Sequence, residues 1–292
     1  MTLKFNSAEI KNLVIHKVGN KNNDEPLVLS KSESSLSDDD KLILTEHFLG
    51  SFKQPEFYQF YHESELNLNE VYVYACAAFD EPGNLYEQSR NFAMHLYRQT
   101  MHPKIKSGEF YTVYFEGIEL DGELTNAIGL FKSENKDLFM QVVEDGENFG
   151  LHFDSGINLK KPDKACLIIN SEREDGFIVS VIDNTSKGTE AMYWIDDFLY
   201  VQNRKDEYFH TKNALSLCKT FVAEQMPVKY EISKAEQSDL LNKSMKFFKE
   251  NDSFDVNLFA DEVIGHPEII EDFISYKGDY EKENAVQIED KF

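Results

Sequence analysis

The spacing of apolar residues changes along this chain, and each change marks a different kind of element. Residues 9–18, Glu-Ile-Lys-Asn-Leu-Val-Ile-His-Lys-Val, carry the β-branched and apolar content of a strand. Pro26-Leu27-Val28-Leu29-Ser30 reads as its pairing partner, across the polar turn Asn20–Asp24. Ser37, with Asp40 three residues later, has the form of a helix N-cap pair, and Asp38-Asp39-Asp40 suits the positive end of a helix dipole. Leu42, Leu49 and Phe52 recur behind it at helical spacing. A second helix is expected over Glu70–Asp80, ended by Pro82-Gly83. A third carries Leu85, Ser89, Phe92 and Leu96 on one face and runs to about His102, where Pro103 stops it.

Residues 108–183 alternate differently. Phe110–Phe115, Ala127–Phe131, Leu138–Val143, Leu151–Phe153, Ala165–Ile169 and Phe177–Ile182 all read as strands. The turn signals Asp121-Gly122, Asp145-Gly146 and Asp175-Gly176 separate several of them, which predicts an antiparallel meander. From Glu190 the period returns to that of a helix. Ala214, Cys218, Phe221 and Gln225 share a face that Pro227 ends, and Ser233 with Glu236 forms a capping box ahead of Leu241, Met245 and Phe248. Shorter helices are expected near Val256–Ile264 and Pro267–Tyr276. No fixed-period repeat is present. The expected fold is α+β: residues 1–203 form a mostly antiparallel central sheet with flanking helices, and residues 204–292 form a helical region. The segment from Lys277 to Phe292 reads as a frayed tail or as the start of a continuation.

Composition narrows the function classes. No 18-residue apolar window exists, so no membrane span or membrane partner is expected, and the first residues lack the apolar run of a signal peptide. Cys76, Cys166 and Cys218 sit among apolar neighbours without a CxxC, which suits buried free thiols in a cytoplasmic protein. The formal net charge is −23, which repels nucleic acid at long range, so any DNA contact must come from a local concentration of basic groups. Within Glu231–Phe292 there are 16 acidic against 7 basic side chains, a local net of −9, so that region is a poor DNA face and a better one for a basic protein.

No phosphate-binding glycine loop, dinucleotide fingerprint or nucleophile elbow occurs, and no cofactor is implied. His95 and His102 lack further ligands at metal spacing, and Asp196-Asp197 reads as an acidic helix start. Asp121 followed by Glu134-Asn135-Lys136 resembles the loose signature of metal-dependent nucleases, but Glu-x-Lys falls in a polar turn rather than a strand. No catalytic residue is assigned. The basic groups cluster in loops flanking the sheet: Lys104 and Lys106, then Lys160, Lys161 and Lys164, then Lys187, then Arg204 and Lys205. Converging at one sheet edge, they are the candidate contacts to a phosphate backbone.

The order of several segments carries a family resemblance. It runs from Ile10–Val18 through Glu87–Ala93 and His95–Tyr97 to His102–Glu109, Gly156–Lys164 and Tyr193–Leu199. In this order the chain resembles the 37-kilodalton bacterial nucleoid-associated protein family over most of its length. The resemblance implies a non-enzymatic cytoplasmic protein of the nucleoid that binds double-stranded DNA and contacts a type II topoisomerase. It carries no catalytic residues. The competing expectation is an acidic adaptor, or DNA mimic, that captures a basic partner such as a histone-like protein. Exposed sheet edges and aromatic content make a homodimer plausible in either case.

Overall fold

Long strands with apolar residues on both faces need cover on both faces, and the computed structural model of the chain supplies it. The structure describes all residues except 53–55, 147, 160–161, 186–192, 205–206, 231, 252–253, 285 and 289–292, together with the side chains of 207–209. Two compact units are present, Met1–Asn203 and Arg204–Phe292.

The first unit is built on an eight-stranded antiparallel sheet. Its strands are β1 (Leu3–Lys4), β2 (Glu9–Val18), β3 (Phe57–Phe60), β4 (Gly108–Leu120), β5 (Glu123–Ser133), β8 (Lys164–Ile169), β9 (Ile178–Asp183) and β10 (Val201–Asn203). The order across it is β1-β4-β5-β8-β9-β3-β10, with β2 also paired to β4. Between β5 and β8 the chain makes a separate two-stranded ribbon, β6 (Asp137–Asp145) and β7 (Asn148–Gly156).

Alternation along β4 divides the core in two. Phe110 and Tyr114 face one side, where they meet α2 (Glu70–Asp80) and α3 (Leu85–Gln99) through Val71, Ala75, Phe92 and Leu96. Val113 and Phe115 face the other, where Phe48 and Leu49 of α1 (Asp38–Leu49) and the following Phe52 cover them. Phe48 stacks on Phe131 with ring centroids 4.3 Å apart. Both predicted caps form: Ser37 accepts from Asp40 N–H while Asp40 accepts from Ser37 N–H, and Ser233 and Glu236 do the same.

Several expectations need correction. The segment 26–30 is not a strand partner of β2. It forms a single antiparallel bridge to β2, at Val28, whose N–H and carbonyl bond to Lys17, and Ser30 N–H reaches only the His16 side chain, whereas β2 pairs with β4 from Glu9 to Val18. Pro26 brings no N–H to a ladder and the Ser30 N–H goes to the His16 side chain, so the pairing stops at one bridge. The meander is interrupted, because β6 and β7 pair with each other and leave β5 to pair with β8. Helix α3 ends at Gln99, short of His102, and the Thr100 hydroxyl donates to the Tyr97 carbonyl. Leu42 is exposed, since α1 packs on the sheet through Leu44 and its last turn. Short strands β1, β3 and β10 carry too few residues for a readable period.

The second unit is helical: α4 (Glu207–Thr220), α5 (Met226–Lys229), α6 (Lys234–Glu250), α7 (Val256–Phe259) and α8 (Pro267–Asn284). Ala214, Leu217, Phe221, Phe247, Phe259 and Phe273 form its core. Pro227 does not end the α4 run. A π-helical turn, Phe221–Gln225, precedes it and places the proline in the first turn of α5, where its missing N–H is tolerated. All three cysteines are free; Cys166 and Cys218 are buried and Cys76 is half-buried.

Candidate nucleic-acid interface

Among the described residues, the two buried lysines, Lys132 and Lys164, both lie at the end of the sheet where β4 begins and β5 and β8 meet. Lys132 and Lys164 are direct cross-strand neighbours on β5 and β8, on the face covered by α2 and α3. Two lysines so placed repel each other, and both are buried, at 0% and 1% exposure. Their neighbours explain how they persist. The Lys132 ammonium donates to the Lys106 carbonyl at 2.6 Å, to Glu134 Oε1 at 2.9 Å and to the Tyr193 hydroxyl at 2.9 Å. Three donors thus meet three acceptors. Lys164 pairs with Asp183 at 2.8 Å. Both ammonium groups lie over the Tyr193 ring, 5.3 and 5.1 Å from its centroid.

Glu134 closes the network. Its Oε1 also accepts from the Tyr193 hydroxyl at 2.8 Å, and its Oε2 accepts from Thr185 at 3.1 Å. Burial pushes the Lys132 pKa down against the opposing pull of Glu134, and burial with the neighbouring Glu134 charge pushes the Tyr193 hydroxyl well up. Asp163 fixes the turn after β5, accepting from the backbone N–H of Glu134 at 2.6 Å and of Asn135 at 2.9 Å.

Above this network lies a cavity of about 560 Å³, with Lys104, Lys106, Lys164, Glu134, Asp137 and Asp163 among its lining residues. The loop bearing Lys104 and Lys106 is anchored from below. Buried Asn20 donates through its side-chain amide to the carbonyls of His102 at 2.9 Å and Ile105 at 2.6 Å. Lys104 and Lys106 are exposed, and Lys106 donates to the Asn135 side chain at 2.6 Å. Each carboxylate of the lining accepts a hydrogen bond: Glu134 and Asp163 as above, and Asp137 from Asn158 at 2.8 Å.

The candidate lysines therefore divide. Lys104, Lys106 and Lys164 come together at one cavity. Lys164 turns its charge inward to Asp183, so it organises the cavity wall instead of presenting charge to solvent. Lys160, Lys161, Lys187 and Lys205 lie outside the described residues. By sequence, Lys161 immediately precedes Pro162 of the lining, and Lys187 follows Thr185 by two positions. Arg204 begins the second unit and is half-buried. Sequence reasoning missed Lys132, Tyr193 and Asp183. The available signal was a lysine inside the apolar run Leu130-Phe131-Lys132.

The nuclease-like triple does not assemble. Asp121 lies in the β4–β5 turn, where it accepts from Thr2 N–H at 2.6 Å, whereas Glu134 follows the far end of β5. Eleven residues of strand separate them, about 35 Å at the usual rise. His95 spans Phe198 O at 3.0 Å and Glu70 at 2.7 Å, a core role. Asp196 and Asp197 begin the π-helical turn Ile195–Leu199. Among the described residues, no group of three or more His, Cys, Asp or Glu is placed to hold a metal ion, and no helix is long and apolar enough to cross a membrane.

A comparison with curated proteins returns no match. The family model described as nucleoid-associated protein YejK matches residues 14–292, so nearly the whole chain, including all of the second unit and every residue of the lysine cavity, falls within it. The chain belongs to this family of nucleoid-associated proteins.

Proposed function

We propose that the chain binds double-stranded DNA without catalysis, through phosphate contacts at the lysine-bearing end of its sheet. The observation that carries this reading is the pair of exposed lysines, Lys104 and Lys106, on a loop pinned by Asn20 above a cavity whose carboxylates all accept hydrogen bonds. The hydrogen bonds hold those carboxylates toward the wall and the turn without removing their charge, so the positive charge offered to a phosphate is that of the exposed Lys104 and Lys106 at the rim. Lys160, Lys161 and Lys187, close in sequence to lining residues, are the further candidates. The family membership supports a place in the bacterial nucleoid, with a type II topoisomerase as a candidate protein partner.

The test is a low-salt gel shift with duplex DNA. Lys104→Glu with Lys106→Glu is expected to weaken binding at least about tenfold and to flatten the slope of log affinity against log salt by about 2. Both side chains are exposed, so the fold should be retained. An unchanged shift would move the DNA contact elsewhere. The net charge of −23, with −9 in Glu231–Phe292, favours a second reading, an acidic adaptor for a basic nucleoid protein. A parent protein that fails to shift DNA at low salt but captures a purified histone-like protein would establish that reading instead.

A further inference from the structure

The ribbon formed by β6 and β7 is exposed on both faces, and one of them is predominantly apolar. In an antiparallel pair, directly opposed residues point the same way. Met140 opposes Phe153, Val142 opposes Leu151, Leu138 opposes Ser155 and Glu144 opposes Phe149. One face therefore carries Leu138, Met140, Val142, Phe149, Leu151 and Phe153. These six are 56–73% exposed. The opposite face carries Gln141 against His152, Phe139 against Asp154 and Val143 against Gly150, with Asp137 against Gly156 at the base and Asp145 against Asn148 at the tip. Six apolar residues on one face against two, Phe139 and Val143, on the other bias the pair toward burying that one side, yet both strands are exposed almost throughout. An isolated two-stranded hairpin is at best marginally stable in water.

We infer that this apolar ribbon face is a self-association surface, on which the same face of a second copy of the chain packs across a two-fold axis. Three observations select a second copy. First, residues 137–156 contain no lysine or arginine and five acidic residues, so a phosphate backbone is repelled from the ribbon. Second, the six exposed side chains leave about 700 Å² of apolar surface per chain in water, so two copies face to face would bury about 1,400 Å², within the range of stable interfaces. Third, the face is self-complementary. Among the described residues Glu144 is its only charged side chain and sits at the tip, so antiparallel stacking of two ribbons puts the two Glu144 carboxylates at opposite ends. The acidic Asp137, Asp145 and Asp154 share the other face and point away from the contact. Sheet faces stack about 10 Å apart, a gap that interdigitating Met, Leu and Phe side chains fill.

Sedimentation equilibrium on the full chain tests this. The parent is expected to dimerise, and Met140→Lys with Leu151→Lys to weaken the dimer at least about 100-fold. Lysine makes the chain less negative, so loss of the dimer could not arise from added general repulsion. Gln141→Lys with His152→Lys makes the same change of charge on the opposite face and is expected to leave the dimer intact. Crosslinking gives an independent reading: Phe153→Cys should join two copies through a short bis-maleimide where the parent does not. A parent that stays monomeric at about 100 µM, a dimer that survives the first pair of substitutions, or equal loss in the second pair would overturn the inference. Each outcome is separable from the DNA result, because none of these positions lines the lysine cavity.

Discussion

Lys132 illustrates what burial demands of a single charge. Its ammonium has no access to water, and it remains because Glu134, Tyr193 and the Lys106 carbonyl take all three of its protons. Removing one partner of such a pair leaves the other charged and unsatisfied. Lys132→Met is therefore expected to cost roughly 3–5 kcal/mol of stability in urea unfolding. Lys132→Met combined with Glu134→Gln should recover a large part of that loss, since both charges then go together. His16 shows the same logic for a neutral group. Its Nδ1 accepts from Ser30 N–H at 3.0 Å, so Nε2 carries the proton and donates to Ser89 Oγ at 3.0 Å, whose hydroxyl donates to the Tyr86 carbonyl. Burial, with Arg90 adding to it, lowers the His16 pKa from 6.5 to about 4. The unfolded chain then binds the extra proton first as pH falls. The stability contributed by neutral His16 is complete above pH 6.5, declines below it, and levels off near pH 4. The expected loss from this residue is about 2 kcal/mol between pH 6.5 and pH 5, read from urea midpoints, with the imidazole still neutral by nitrogen NMR at the lower pH.

Among the elements, β4 does the most to position the cavity. It pairs with β1, β2 and β5, and its first residue, Gly108, passes close to the end of β5. A methyl group placed at Gly108 would lie 1.9 Å from the Ser133 carbonyl oxygen. Gly108 and Ser133 are both held in strand ladders, so neither backbone can yield cheaply. Gly108→Ala is expected to cost about 2 kcal/mol or more in thermal unfolding and to displace Glu134, the next residue after Ser133. Loss of the Lys132–Glu134 contact should accompany it, measurable as a weaker effect of Lys132→Met in the Gly108→Ala background than in the parent.

At the scale of the whole molecule, the chain is a strongly anionic protein made of two compact units. Trp194 is the sole tryptophan, and it is fully buried in the core of Met1–Asn203. Its fluorescence therefore reports the first unit alone, while far-ultraviolet circular dichroism reports helices in both. We propose that residues 1–203 and 204–292 act as separate domains. In that case the two signals should give urea transitions with different midpoints, and coincident curves would make them one cooperative body.

Hydrophobic period, turn signals and caps were enough to place the α+β class, the capping boxes at Ser37 and Ser233, and the long strands from Phe110 to Ile182. These features depend on residues within a few positions of each other, and local spacing records them. The same local rules failed where the outcome depended on a distant competitor. β2 found its long partner in β4 while Pro26–Ser30 kept only one bridge to it, and Leu138–Phe153 left the main sheet because β8 took the edge of β5. The lysine cavity divides along the same line. Lys104 and Lys106 were legible as exposed loop charges, because such residues rarely occur elsewhere. That Lys164 faces Asp183, that Lys132 sits beneath the cavity, and that Asp121 and Glu134 stand a strand's length apart follow from the register of β4, β5, β8 and β9. Register is a choice among long-range pairings, settled by which apolar faces can be buried together, and no short window of sequence contains that comparison.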